Sequence, residues 1–414
     1  MAHLLAWIRI PYRRWQSLDS IQRGLLALMA ARWALALTFI LNLLPLELRD
    51  PVYRWYLQHG GDQEQMMRLA QSILVGSPEE AVVGLGQALV MLPWIALLRP
   101  SRYIEMVAPL VIINGFVLAG LSVLWVGSIA RALTNSRTVA LGSAALWAFL
   151  PLMAYFGFFW HPEAVALRSA MVPKVGWLNG LSDGPATFFL LLAVFLLTGV
   201  HGPAAEHNFG RLVGAGAALG AAVTFRVHTV PMAAFLLAYV LVAHRWRGLL
   251  AVGGGALLGY LPQAWYNWTV FGLPFTTGYI SYGDLFNWGG TLQRPLRDIL
   301  ANLPFHPRYL LETLSYFIGR RPWLLIPLAI GLAVLTLVAI ALWRERGWQA
   351  AALLIGAPLA YLAPLVMAYN FREDAVRFLM PCMGLWSVAG VYALHRLGAL
   401  LRPLMARLHS TWGG

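Results

Sequence analysis

Ten apolar stretches recur along the chain, at 25–46, 106–129, 138–156, 185–198, 212–225, 227–243, 249–265, 323–343, 350–367 and 378–394. A helix needs about 20 apolar residues to cross a ~30 Å hydrocarbon core. The pattern therefore predicts an all-α polytopic membrane protein with about ten transmembrane helices. An eleventh apolar run, 82–98, is interrupted by Gly84, Gly86, Gln87 and Pro93. It reads as a segment lying in or dipping into the outer leaflet. Before it, 65–74 is polar with helix-compatible spacing, so the first long loop is expected to carry interfacial helices, as is a later one.

Charge decides which ends face which side. With 82–98 not crossing, the cytoplasmic pieces hold fourteen arginines against Asp19, Glu206 and Glu345, a net +11, while the outside pieces hold nearly all the acids. That is the asymmetry of the positive-inside rule. It places 1–24 and the tail 395–414 in the cytoplasm, and leaves four outside regions at 47–105, 157–184, 267–321 and 369–377. The first and third are far longer than ordinary connections, and loops of that length usually carry function. The working face is expected outside, on one membrane-embedded domain spanning 1–414.

Composition agrees. Hydrophobic residues make up 59% and charged residues 11%, against about a quarter charged in soluble domains. The 18 Trp and 15 Tyr suit the lipid–water boundary. The formal charge of +13 is almost entirely arginine, Lys174 being the only lysine. No clustered basic face appears, so nucleic acid is not an expected partner. Cys382 alone excludes an internal disulfide and a cysteine-based metal site. The basic stretch 9–23 shows no cleavable signal pattern, so 25–46 is expected to remain as the first helix. Gly216-x-x-x-Gly220 and Gly255-x-x-x-Gly259 read as close helix packing within spans.

Four constellations carry candidate chemistry. Asp62 and Glu64 open the helix of the first outside loop. Two positions apart, they do not share a helix face, so different roles are expected; acids in a first turn also complement the helix dipole. Asp50 is a weaker candidate. Ser182-Asp183 precede Pro185 and an apolar span, a pattern that also suits a plain helix cap; their loop adds His161, Glu163, Arg168 and Lys174. Arg226 with His228, and Arg372 and Arg377 flanking Glu373 and Asp374, stand near outer span ends. There a guanidinium fork can hold phosphate or pair with an acid, Asp62 included. The run from Tyr266 to Tyr279 combines turn residues with aromatics suited to a sugar or prenyl groove, or to an interfacial belt. It contains Asn267-Trp268-Thr269, a short match to an N-glycosylation sequon.

In this order the pieces resemble the GT-C superfamily of integral-membrane glycosyltransferases, in particular bacterial relatives of protein O-mannosyltransferases and aminoarabinose transferases. The resemblance covers most of the chain. It rests on Asp62 with Glu64, then Ala70 and Leu74; on Ser182-Asp183; on Arg226 after a small-residue span; on Asn267 through Phe271-Gly272-x-Pro274-Phe275 to Gly278-Tyr279; and on Arg377-Phe378 with Pro381. It implies a sugar donor held on polyprenyl phosphate, inverting transfer to a glycan, lipid or protein acceptor on the outer face of a bacterial inner membrane, and a first-loop carboxylate as general base. By position that base is Asp62, with Glu64 and Asp183 as further catalytic candidates and Arg226, His228, Lys174, Arg372, Arg377 and Tyr279 as substrate-binding candidates. Gln63 stands where the family's acidic motif often has a second adjacent acid, so a divalent cation is a cofactor the resemblance leaves open.

The chemistry is coherent without the family. Sugar transfer from a lipid phosphate needs a base for the acceptor hydroxyl and a cation for the departing phosphate. It needs no nucleotide-binding domain. The alternative expectation is a polytopic transporter or lipid-linked sugar flippase, in which the same charges line a pathway; no inverted repeat is visible in support of it.

Overall fold

The computed structural model describes residues 18–49, 61–157, 175–199, 208–275, 307–320, 325–368 and 377–412, and every regular element among them is helical. In chain order these are α1 (Ser20–Arg49), α2 (Asp62–Leu74), α3 (Leu85–Leu98), α4 (Tyr103–Thr134), α5 (Arg137–Gly157), α6 (Asp183–Thr198), α7 (Phe209–Phe225), α8 (Val230–Phe271), α9 (Pro307–Arg320), α10 (Leu325–Arg346), α11 (Trp348–Val366) and α12 (Met380–Trp412). Each of the ten expected apolar stretches falls on a helix. Among the described residues, five segments are long and apolar enough to cross a membrane by length and composition: Ser20–Asn42, Tyr103–Thr134, Val227–Phe271, Trp348–Val366 and Arg377–Pro403. Several shorter apolar helices accompany them.

Local rules explain the element ends. At the start of α1, the Gln22 amide donates to Asp19 Oδ1 (2.7 Å) and the Asp19 amide to Gln22 Oε1 (3.0 Å). This reciprocal cap satisfies two helix-end donors. α8 is interrupted at Arg245, whose φ of 58° and ψ of −169° are non-helical. Gly248 after the break lies against Val240 and His244 before it. Residues eight apart in a straight helix are separated by about 12 Å, so the chain doubles back there, between the expected spans 227–243 and 249–265.

α7 and the second half of α8 pack most closely. A Cβ on Gly216 or Gly220 would collide with the carbonyl oxygens of Val252 and Ala256, and one on Gly255 or Gly259 with those of Val213 and Ala217. The two small-residue motifs therefore face each other, as their spacing predicts. The outer face of α8 exposes Leu250, Leu257, Leu258, Leu261, Trp265 and Trp268. An apolar surface of that extent belongs against lipid.

Among the described residues, buried apolar side chains form two clusters. The larger unites α4, α5, α6, α7, α8, α11 and α12, with contributions from α1 and α10. The smaller joins α2, α3 and the start of α4 with Ala36 and Phe39 of α1, Leu178, Leu181 and Tyr266. α3 belongs wholly to this second layer. Its N-terminal Gly84 abuts Thr224 and Phe225 at the end of α7, and just past its C-terminus Pro100 accepts a hydrogen bond from Gln71 of α2 (2.9 Å). Its 14 residues extend about 21 Å. α2 is the polar helix expected from 65–74, and it buries Met66, Met67, Leu69 and Ala70 on the face toward α3.

The glycine contacts make a direct test. Gly216→Val and Gly255→Val should each destabilise the protein by about 1–3 kcal/mol or more through overpacking. Gly253→Val, at a position with open space around it, should unfold within a few degrees of wild type in detergent melts. Equal melting of all three would refute the close α7–α8 contact.

Candidate functional site

Four segments distant in sequence meet at the seam between the two clusters. The start of α2 brings Asp62, and the start of α6 brings Ser182 and Asp183. The end of α7 brings Arg226, followed by a 3-10 turn (Val227–Thr229) with His228; the turn leading into α12 brings Arg377 and Phe378. A cleft beside them is lined by Asp62, Ser182, Arg226, Tyr260 and Gln263 on its polar side and by Met66, Val83, Val223 and Phe225 on its apolar side. Two opposite charges, Asp62 and Arg226, thus share a wall with apolar side chains, which suits a ligand with a polar head and a hydrocarbon tail.

Arg226 is the best-held charge. The chain leaves α7 in an extended conformation at this residue, which directs the side chain across to α6. Its Nη1 lies 2.9 Å from Asp183 Oδ1, with the two side chains only 8% and 5% exposed. Nη1 also donates to Ser182 Oγ (3.5 Å). The helix-cap expectation for this pair is thereby answered: Ser182 is helical in backbone and makes no side-chain cap, and both side chains serve the guanidinium. Asp183 Oδ2 is buried and has no hydrogen-bond partner among the described residues.

The second pair is looser. Arg377 Nη2 lies 3.4 Å from Asp62 Oδ2, with side chains 23% and 41% exposed. Among the described residues Arg377 thus pairs with Asp62; its other expected partners, Glu373 and Asp374, lie outside them. A contact this long and this accessible stabilises by no more than about 1 kcal/mol, so it holds the two groups near each other without fixing them. Phe378 lies beneath both arginines, its ring centre 4.7 Å from the Arg226 guanidinium carbon and 5.0 Å from that of Arg377. The buried ring of His228 is 5.9 Å from the same centroid.

Several residues that sequence reasoning passed over build the frame. Gln63, buried beside Asp62, donates to the Asn179 carbonyl at 2.7 Å and ties the start of α2 to the loop before Asp183. A carboxylate cannot donate that bond, which gives a physical reason for an amide at this position. Arg32, buried in α1, donates to the carbonyls of Ala148 (3.1 Å) and Gly176 (3.3 Å) and clamps the same loop from within the bundle. An arginine inside an apolar span is the signal that would have found it.

On α8, Tyr260, Gln263 and Asn267 recur at three- and four-residue spacing and form a polar ladder. Gln263 Oε1 accepts from the Leu85 amide (2.8 Å), and its Nε2 donates to Asn267 Oδ1 (2.7 Å). Asn267 Nδ2 donates to the Tyr260 hydroxyl (3.1 Å) and to the Pro274 carbonyl (2.9 Å). The neighbouring Tyr266 hydroxyl donates to the Glu79 carbonyl (2.8 Å) and accepts from the Ala81 amide (2.9 Å). Together they hold 79–85, one wall of the cleft. Asn267 is fully buried within α8, so the glycosylation reading of Asn267-Trp268-Thr269 is sterically closed, and the helix continues to Phe271 rather than ending at 267.

Glu64 is half-buried on α2 and does not line the cleft with Asp62, as positions two apart on a helix require. Lys174, Arg372 and Tyr279 lie outside the described residues, as do Asp50, His161, Glu163, Arg168, Glu373 and Asp374. Among the described residues no group of three His, Cys, Asp or Glu side chains is placed to hold a metal ion. No family model, curated protein or solved structure matches the chain.

The contrast between the two ion pairs is measurable as stability. Asp183→Asn leaves Arg226 buried without its counter-charge and should cost about 3–5 kcal/mol. Asp62→Asn, at the exposed pair, should cost less than about 1 kcal/mol. Thermal unfolding in one detergent compares them; equal losses would make the two pairs structurally equivalent.

Proposed function

We propose that the protein is a membrane-embedded glycosyltransferase that moves a sugar from a polyprenyl-phosphate donor to an acceptor hydroxyl. One observation carries the reading: a first-loop carboxylate, Asp62, lines a partly apolar cleft with Arg226 and is itself paired with a second arginine from a distant segment, Arg377. The lipid phosphate is read by the guanidinium forks, which bond phosphate bidentately. The prenyl chain leaves along the apolar wall of Met66, Val83, Val223 and Phe225.

In the proposed step the acceptor oxygen attacks the anomeric carbon and passes its proton to Asp62. The bond from that carbon to the phosphate oxygen breaks, and the electron pair leaves on the phosphate, stabilised by Arg377 and Arg226. Single displacement inverts the anomeric configuration. Asp183 is engaged by Arg226 and serves as its counter-charge, which leaves Asp62 as the base. The central space is about 40 Å³, enough for water and too small for a sugar ring, so donor binding requires its walls to part.

We assign the site to the outer face of a bacterial inner membrane. In support, the opposite ends of the helices are rich in arginine: Arg211 bonds the Gly199 carbonyl (2.9 Å), Arg346 bonds that of Leu133 (3.1 Å), and Arg396 pairs with Glu345. Basic ends facing the cytoplasm follow the positive-inside rule.

Purified protein assayed against a panel of prenyl-phosphate sugars tests the activity itself. Asp62→Asn should then lower the transfer rate by about 10²–10⁴-fold, the usual contribution of a positioned base, with donor affinity nearly unchanged. Wild-type rates in Asp62→Asn, with activity lost in Asp183→Asn, would move the base to α6. Transport of a lipid-linked sugar across vesicles with no transfer at all would favour the flippase reading.

Arg377 has its own test. Arg377→Lys keeps the charge but loses the fork, so donor KM should rise about tenfold or more in a folded protein. An unchanged KM would return Arg377 to a purely structural pairing with Asp62.

A further inference from the structure

Phe378 is used neither as base nor as phosphate ligand, yet it touches more of the site's cationic groups than any acid does. The guanidinium carbons of Arg226 and Arg377 stand 4.7 and 5.0 Å from its ring centre, and the His228 ring lies tilted against it at 5.9 Å. The two arginines arrive from separate elements, Arg226 from the end of α7 and Arg377 from the turn before α12. Two like charges gathered at one place repel each other, and each long side chain has rotamer freedom to lose. A ring face carries negative charge density that attracts both. The ring contacts leave N–H groups of both guanidiniums engaged elsewhere, where Asp183 and Ser182 meet Arg226 and Asp62 meets Arg377.

We infer that Phe378 is a positioning residue: its ring is the platform that holds Arg226 and Arg377 together as a cradle for one phosphate group. The accessible edge is that of Arg377, whose contact with Asp62 is long and partly exposed. A phosphate entering the cleft replaces Asp62 on Arg377, while the buried Asp183–Arg226 pair stays intact. Asp62 is then released unpaired beside the bound anion. The cradle extends the glycosyltransferase reading, but its readout is anion binding, which needs no sugar transfer.

The test measures binding of three probes to purified protein in detergent: farnesyl phosphate, farnesol and inorganic phosphate. Phe378→Leu removes the π face, Phe378→Met conserves volume without it, and Phe378→Trp keeps it. Losing both guanidinium–ring contacts should weaken farnesyl phosphate and inorganic phosphate by about tenfold each, with farnesol unchanged. Phe378→Trp should remain within about threefold of wild type. Thermal unfolding identifies which variants are folded, and either Leu or Met suffices. Unaltered phosphate binding in a folded Leu or Met variant would overturn the inference. So would an equal loss for farnesol, or a wild-type protein that binds neither phosphate. Ring-dependent phosphate binding without sugar transfer would keep the cradle and discard the glycosyltransferase reading.

Discussion

The ion pair between Asp183 and Arg226 is the constraint on which the rest of the site depends. Both side chains are almost wholly buried, and moving two such charges out of water costs several kcal/mol each. That cost is met only by a close contact, and the 2.9 Å separation provides one. The pair fastens the first turn of α6 to the residue that ends α7, and so fixes where the chain turns toward α8. It also sets the direction of the Arg226 guanidinium, with one edge on Asp183 and Ser182 and its face on Phe378.

The second pair obeys different physics. Asp62 and Arg377 are partly in water and 3.4 Å apart, so screening leaves their mutual hold weak. A site built from one locked pair and one loose pair keeps its framework while one arginine and one carboxylate change partners. Such a division suits a reaction in which a base and an anion-binding group must both engage substrate. The narrowness of the cleft and the looseness of this pair belong together, because ligand entry requires neither the desolvated pair nor the α7–α8 contact to break.

The site lies on a seam for a packing reason. The bundle core and the α2–α3 layer are separately apolar, and polar groups between them need partners from both sides. The ladder of Tyr260, Gln263 and Asn267, with Tyr266 beside it, supplies those partners to 79–85. Gln63 does the same for the loop before α6, and Arg32 braces that loop from the bundle. Apart from the Gln263–Asn267 bond inside the ladder, each joins a polar side chain to a backbone group that burial would otherwise leave without a partner.

The chain's own pattern determined the helical class, the positions of the apolar segments and the packing of Gly216 and Gly220 against Gly255 and Gly259. These are local matters of apolar run length and residue size, legible wherever they occur. Asp62, Asp183, Arg226 and Arg377 stood out as charges beside apolar spans, because a charge is costly there whatever surrounds it. Which acid meets which arginine was not legible, since partners 43 and 315 residues apart are joined only by the packing of α2, α6, α7 and α12. For the same reason Phe378 read only as part of the run Arg377-Phe378 with Pro381, Gln63 as a departure from a pattern, and Asn267 as a sequon. Their roles come from neighbours that sequence spacing does not contain: two guanidinium groups, a backbone carbonyl, and a ladder buried inside a helix. Tertiary structure alone decided these, because burial and pairing are properties of the surroundings rather than of the residue.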